Sequence, residues 1–119
     1  MQDGTRAKLQ TEKRYCVIAR IWNGSAQPQK ADAYVTHLRE KTFPLLEHMP
    51  GHRGAYVLRR NVGSQVAFTV ITLWESIDAI TAFAGPDPEM AVVPAEAQAL
   101  LESWARRAVH WDVAYQTLG

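Results

Sequence analysis

Apolar side chains occupy nearly every position of residues 66–74, and a β-strand sends successive side chains to opposite faces. Phe68, Val70 and Trp74 therefore line one face of a strand, while Ala67, Ile71 and Leu73 line the other. A small antiparallel sheet with one wet face would alternate apolar and polar residues instead. A chain of 119 residues cannot easily cover both faces of its own sheet. The pattern predicts that the second face meets a second copy, in a homodimer.

The same reasoning predicts the other elements. Residues 15–22 are rich in β-branched and aromatic side chains and form a first strand, which Asn23-Gly24-Ser25 breaks. Pro28 suits the first turn of a helix. From there Ala31, Tyr34, Val35, Leu38, Leu45, Leu46 and Met49 recur at helical spacing until Pro50-Gly51. Pro44 falls inside this pattern and predicts a kink or a split-off last turn. Strands over residues 53–60 and 66–74 flank a hairpin connection in which Gly63 is free to take positive φ. Ser76 caps a short helix that Gly85-Pro86 ends. An irregular loop with three prolines follows, then a third helix over residues 94–104 and a final strand over 108–115. This order is the split βαβ arrangement: α+β, ferredoxin-like βαββαβ, with an antiparallel four-stranded sheet. Residues 1–14 read as a polar N-terminal arm and 15–119 as one domain.

Composition narrows the function classes. With 47% hydrophobic and 21% charged residues the chain can build a compact core. A net charge of +1 gives no electrostatic reason to expect nucleic acid or a membrane surface. No apolar run approaches the ~20 residues of a membrane helix, and the polar start is not a secretory signal. Cys16 is the single cysteine, which fits a reducing, cytoplasmic setting.

Specific motifs are few. No Gly-x-Gly-x-x-Gly follows a strand and no phosphate loop is present, so neither nucleotide nor flavin is indicated. His48 and His52 have a metal-like spacing, but Pro50-Gly51 keeps them off one helical face. No cofactor and no metal are expected. Arg20 and Asp112 lie on strands that this topology makes neighbours and predict an ion pair or a contact across the dimer. Arg59-Arg60 reads as a solvated strand end. His110 sits mid-strand between apolar neighbours. Imidazole titrates near neutrality, so His110 is the first candidate acid or base.

Six segments, in order, resemble the antibiotic biosynthesis monooxygenase domain of the dimeric α+β barrel superfamily. They are Ile18-Ala19-Arg20-Ile21-Trp22, Lys30-Ala31-Asp32-Ala33-Tyr34, Pro50-Gly51-His52-Arg53-Gly54-Ala55-Tyr56, Leu73-Trp74-Glu75-Ser76, Ala82-Phe83-Ala84-Gly85 and His110-Trp111-Asp112-Val113. The resemblance implies two ferredoxin-like protomers whose sheets pack into a shared barrel, with a pocket in each protomer between sheet and helices. Its walls would be Tyr34, Leu38, Phe83 and the loop around residues 90–93, with Asn23, His37 and His110 as polar groups and Trp74 able to stack on an aromatic ligand. Asn23 lies close to the essential asparagine of haem-degrading relatives. Their tryptophan falls near Phe83 and their histidine near Val93, so haem degradation is disfavoured.

The expectation is a cofactor-independent monooxygenase acting on a small aromatic or polyketide-like compound. Deprotonation of an electron-rich phenol gives an anion that reduces oxygen, and the protein supplies an apolar pocket, groups that hold the phenolate and a base. The alternative is a non-catalytic dimeric domain that binds a small apolar molecule or is purely structural.

Overall fold

The computed structural model describes residues 17–117. The arm and Tyr15 lie outside the described residues. Strand β1 (Ile18–Ala26) is followed by helix α1 (Pro28–His37), a π-helical turn (Leu38–Thr42) and helix α2 (Phe43–Glu47). Strands β2 (His52–Val62) and β3 (Gln65–Trp74) form the hairpin. Helix α3 (Ile77–Ala84), the one-turn helix α4 (Ala95–Gln98) and strands β4 (Ser103–Trp104) and β5 (Val109–Asp112) complete the order.

The sheet runs β2-β3-β1, with β4 and β5 laid end to end along the far side of β1, and every pairing is antiparallel. This is the expected ferredoxin-like α+β fold. Alternation on β3 is complete: Val66, Phe68, Val70, Thr72 and Trp74 are buried under the helices, and the residues between them are half-buried on the other face. Ile18, Arg20 and Trp22 of β1 join the covered face.

Several expected boundaries move. Strand β1 does not stop at Asn23 but continues to Ala26, because Gly24 pairs with both Phe68 and Trp104. A Cβ there would sit 3.1 Å from the Trp22 ring, so the glycine makes room for the tryptophan rather than for a turn. Pro44 has no N–H, and its ring crowds the carbonyl four residues back. The chain answers with the π turn just before it, in which the Phe43 N–H reaches back to Leu38 O. The third helix is four residues long, not eleven. The Glu102 N–H donates to Ser25 O at 2.7 Å and draws residues 103–104 into the sheet. The last strand is shorter than expected, Val109–Asp112 instead of residues 108–115, and the segment before it pairs with the loop: the Ala91 N–H donates to Arg106 O and the Ala108 N–H to Glu89 O. Ser76 caps α3 as expected, its Oγ accepting the Ala79 N–H at 3.0 Å. No helix among the described residues is long and apolar enough to cross a membrane.

Candidate active site

Helix α1, the π turn and α2 lie over the covered face of the sheet on one side, and α3 and the loop before α4 lie over it on the other. Between them is a cavity of about 60 Å³. Its floor is Arg20, Trp22, Val70 and Thr72, and its walls include Tyr34, His37, Leu38, Phe83 and Val93. It adjoins a cleft of about 620 Å³, with His37, Thr42, Leu46, Phe83, Val92 and Pro94 bordering both. Leu45, Met49 and Ala82 line the outer cleft, with Glu40, Lys41 and Glu96 also on its border.

Arg20 is the unexpected member. It occupies an inward position between Ile18 and Trp22 and is only 6% exposed. Its Nη2 donates to Met90 O at 2.6 Å and its Nε to Pro88 O at 3.4 Å. The guanidinium lies 5.4 Å from the Phe83 ring centre, within cation–π range. Burial lowers its pKa from the ordinary arginine value, yet a guanidinium remains charged in proteins. The predicted ion pair with Asp112 is absent among the described residues. Asp112 pairs with Ile18 in the register and is exposed, whereas Arg20 faces His110.

His37 borders cavity and cleft alike, and its buried Nε2 has no hydrogen-bond partner. His110 lies on the covered face beside Arg20, also with a buried, unpartnered Nε2, but outside the cavity wall. Burial, then the Arg20 charge, pushes its pKa below the usual imidazole value, while Glu89 and the Pro88 carbonyl act the other way. Tyr34 packs edge-on against Phe68 at 4.9 Å, and burial raises its phenol pKa well above the ordinary value.

Two further expected site residues, besides His110, stay out of the cavity. Asn23 points to the opposite face of the sheet, where the Thr69 hydroxyl donates to its Oδ1 at 2.7 Å. Odd and even positions of β1 go to different sides, and the covered side belongs to Arg20 and Trp22. Trp74 is fully buried beneath the cavity, stacked on Phe83 at 5.6 Å, with its Nε1 donating to the Thr72 Oγ1. It supports the floor without facing the cavity. Among the described residues no three His, Cys, Asp or Glu side chains gather as a metal site would require.

Fold and site together define a small α+β domain with an internal cavity between sheet and helices. The family model for antibiotic biosynthesis monooxygenase matches residues 14–87, and the chain belongs to that family. No curated protein sequence matches it. Among solved structures, a variant of SnoaB, a cofactor-independent oxygenase from Streptomyces nogalater, superimposes with a TM-score of 0.59 at 20% identity, covering 87% of this chain and 97% of that one. The monooxygenase ActVA-Orf6 of Streptomyces coelicolor, solved with nanaomycin D, gives 0.54 at 16% identity, covering 92% and 96%. The haem-degrading protein Rv3592 of Mycobacterium tuberculosis gives 0.56 at 22% identity, covering 87% and 97%. At these identities the likeness is one of fold.

Proposed function

We propose that this chain is a cofactor-independent monooxygenase acting on a small aromatic or polyketide-like compound. The observation that carries the reading is the apolar cleft of about 620 Å³ joined to an inner cavity with Arg20, His37 and Thr72 on its border. Small-molecule sites typically measure ~300–1,000 Å³, with a few polar groups in an apolar lining. Membership of the family and the fold shared with SnoaB support the same class of chemistry.

The residues divide the work. His37 takes a proton from the electron-rich phenol, using the unpartnered Nε2. Phe83, which borders both spaces, holds the ring in the cleft, Tyr34 and Leu38 wall the inner cavity around the ionised oxygen, and Arg20 stabilises the negative charge of the anion. The anion passes one electron to dioxygen, the radical and superoxide combine into a peroxide anion, and His37 returns its proton to make the hydroperoxide. Loss of water then leaves a carbonyl, so one oxygen atom enters the product and the other leaves as water. His110, opposite Arg20 in the register and outside the cavity wall, does not meet the substrate.

Oxygen uptake with anthrone-like and naphthol-like phenols, which autoxidise readily, tests the reading. It expects quinone formation at one oxygen per substrate, far above the spontaneous rate. Binding of these compounds with no enhanced uptake would instead make the protein a non-catalytic binding domain.

The reading includes a homodimer built on the other sheet face. Tyr56, Leu58, Val109 and Trp111 all stand there, and all are exposed in a single chain. Obligate interfaces of this kind bury upwards of ~2,000 Å². Sedimentation equilibrium is expected to give a dimer at micromolar concentration; a stable monomer overturns that part. The lone Cys16 fits a cytoplasmic setting.

A further inference from the structure

The inner cavity contains a buried cation and no anion. Of the described residues that line it, Arg20 carries a charge and none is Asp or Glu. Removing an ion from water costs several kcal/mol unless a counter-charge or a full set of hydrogen bonds replaces the lost hydration. Arg20 has no carboxylate within salt-bridge distance among the described residues. Five N–H donors belong to a guanidinium, and two are used, on the Met90 and Pro88 carbonyls. Nη1 has no partner among the described residues.

Thr72 repeats the bias. Its Oγ1 already accepts from Trp74 Nε1 at 2.8 Å, which leaves its own O–H to donate. The Trp22 indole N–H, by contrast, is spent on Ala105 O at 2.7 Å. Around the floor of the cavity, spare donors outnumber acceptors, and one of the donors is charged.

Size sets the orientation. The inner space of about 60 Å³ suits a group of a few heavy atoms, while the adjoining cleft of about 620 Å³ has room for a ring system. The two carboxylates, Glu40 and Glu96, border the cleft and not the inner cavity.

We infer that Arg20 is the anion anchor of the site: the ligand is an aromatic compound bearing a compact anionic oxygen group, a carboxylate or an ionised phenol, which enters first and meets the guanidinium while the apolar body stays in the cleft. This names the substrate class of the proposed oxygenase site. It requires binding only, so it stands or falls separately from catalysis.

The test is equilibrium binding to the full chain, read from quenching of tryptophan fluorescence, since Trp22 lines the cavity. Naphthoate is compared with its neutral isostere naphthamide, and naphthol is titrated below and above its own pKa. A hydrogen bond to a charged group typically contributes enough for a preference of about ten- to a hundredfold, so naphthoate is expected to bind tighter than naphthamide by that factor. Naphthol is expected to tighten as it ionises, which separates the phenolate from the carboxylate as the source of the charge. The preference persists at about pH 9, where an ordinary imidazole is neutral, which excludes His37 as its source; the Arg20 variants then separate the guanidinium from Lys41 on the cleft border. Arg20→Lys keeps part of the preference and Arg20→Met removes it. Equal affinity for naphthoate and naphthamide in the wild-type protein overturns the inference, and needs no variant to fold. So does a preference that disappears at about pH 9, or one that survives in a folded Arg20→Met protein. Anion-selective binding without oxygen uptake leaves the anchor intact and removes only the oxygenase reading.

Discussion

The two faces of this sheet are made by the same strands and differ by one residue in register. On the covered face, β1 and β3 place Ile18, Arg20, Trp22, Val70, Thr72 and Trp74 under the helices, and a cavity survives there. On the open face, the intervening positions and their neighbours carry Ile21, Asn23, Thr69, Ile71, Tyr56 and Trp111, with Trp111 62% exposed. Both faces are apolar, but their polar residues differ in kind. Asn23 and Thr69 satisfy each other across the strands, whereas among the described residues His37, on the cavity border, keeps a buried Nε2 without a partner and Arg20 bonds only through Nε and Nη2. Unspent polar groups at a cavity point to ligand chemistry. A satisfied, exposed apolar surface points to assembly.

That contrast is open to attack from both sides. Trp74→Ala removes a fully buried side chain, and such truncations typically cost ~3–5 kcal/mol, to be read from urea unfolding. Trp111→Ala is expected to act on association instead, raising the dimer dissociation constant by about tenfold or more. Equal losses of chain stability in both variants would erase the distinction between the faces. A smaller effect concerns the cover itself. Ser76→Ala removes the cap of α3, the helix carrying Phe83, and is expected to cost ~1 kcal/mol, while Ser76→Gly costs only a few tenths.

The smallest effect is one of pH. Burial is the main cause holding both His52 and His110 below the usual imidazole pKa, so the folded chain prefers them neutral. As pH falls below about 6.5, the unfolded chain takes up protons that the folded chain still refuses. Stability is therefore complete above that pH and declines as pH drops below it. His110→Gln is expected to flatten the acid side of the urea-midpoint profile. An unchanged slope would mean that the imidazole is not shielded by the covered face.

Much of this was legible in the sequence, and the failures share a cause. The two-sided alternation of residues 66–74, the Ser76 cap and the Pro44 irregularity follow from local chemistry and appear in the fold. Which parity of β1 meets the helices is a tertiary fact. Arg20 and Asn23 are three residues apart, on opposite faces, and a polar asparagine looks like the better pocket residue than a charged arginine buried among apolar neighbours. The one available signal was Arg20's parity with Ile18 and Trp22, two large apolar residues that mark the buried side. The long third helix failed for a similar reason. Residues 95–101 are good helix formers, but Ser25 O, far away in sequence, claims the Glu102 N–H, and pairing with β1 overrides propensity.

The claim at the centre of the account is that the chemistry belongs to the covered face. Substrate-dependent oxygen uptake by a matched pair of variants, His37→Ala and Asn23→Ala, with dimer content checked in each, tests it most directly. Loss of a positioned base typically lowers turnover by about 10²–10⁴-fold, so His37→Ala is expected to fall by at least the lower figure while Asn23→Ala keeps wild-type turnover. The reverse outcome, activity lost with Asn23 and kept without His37, would contradict the account.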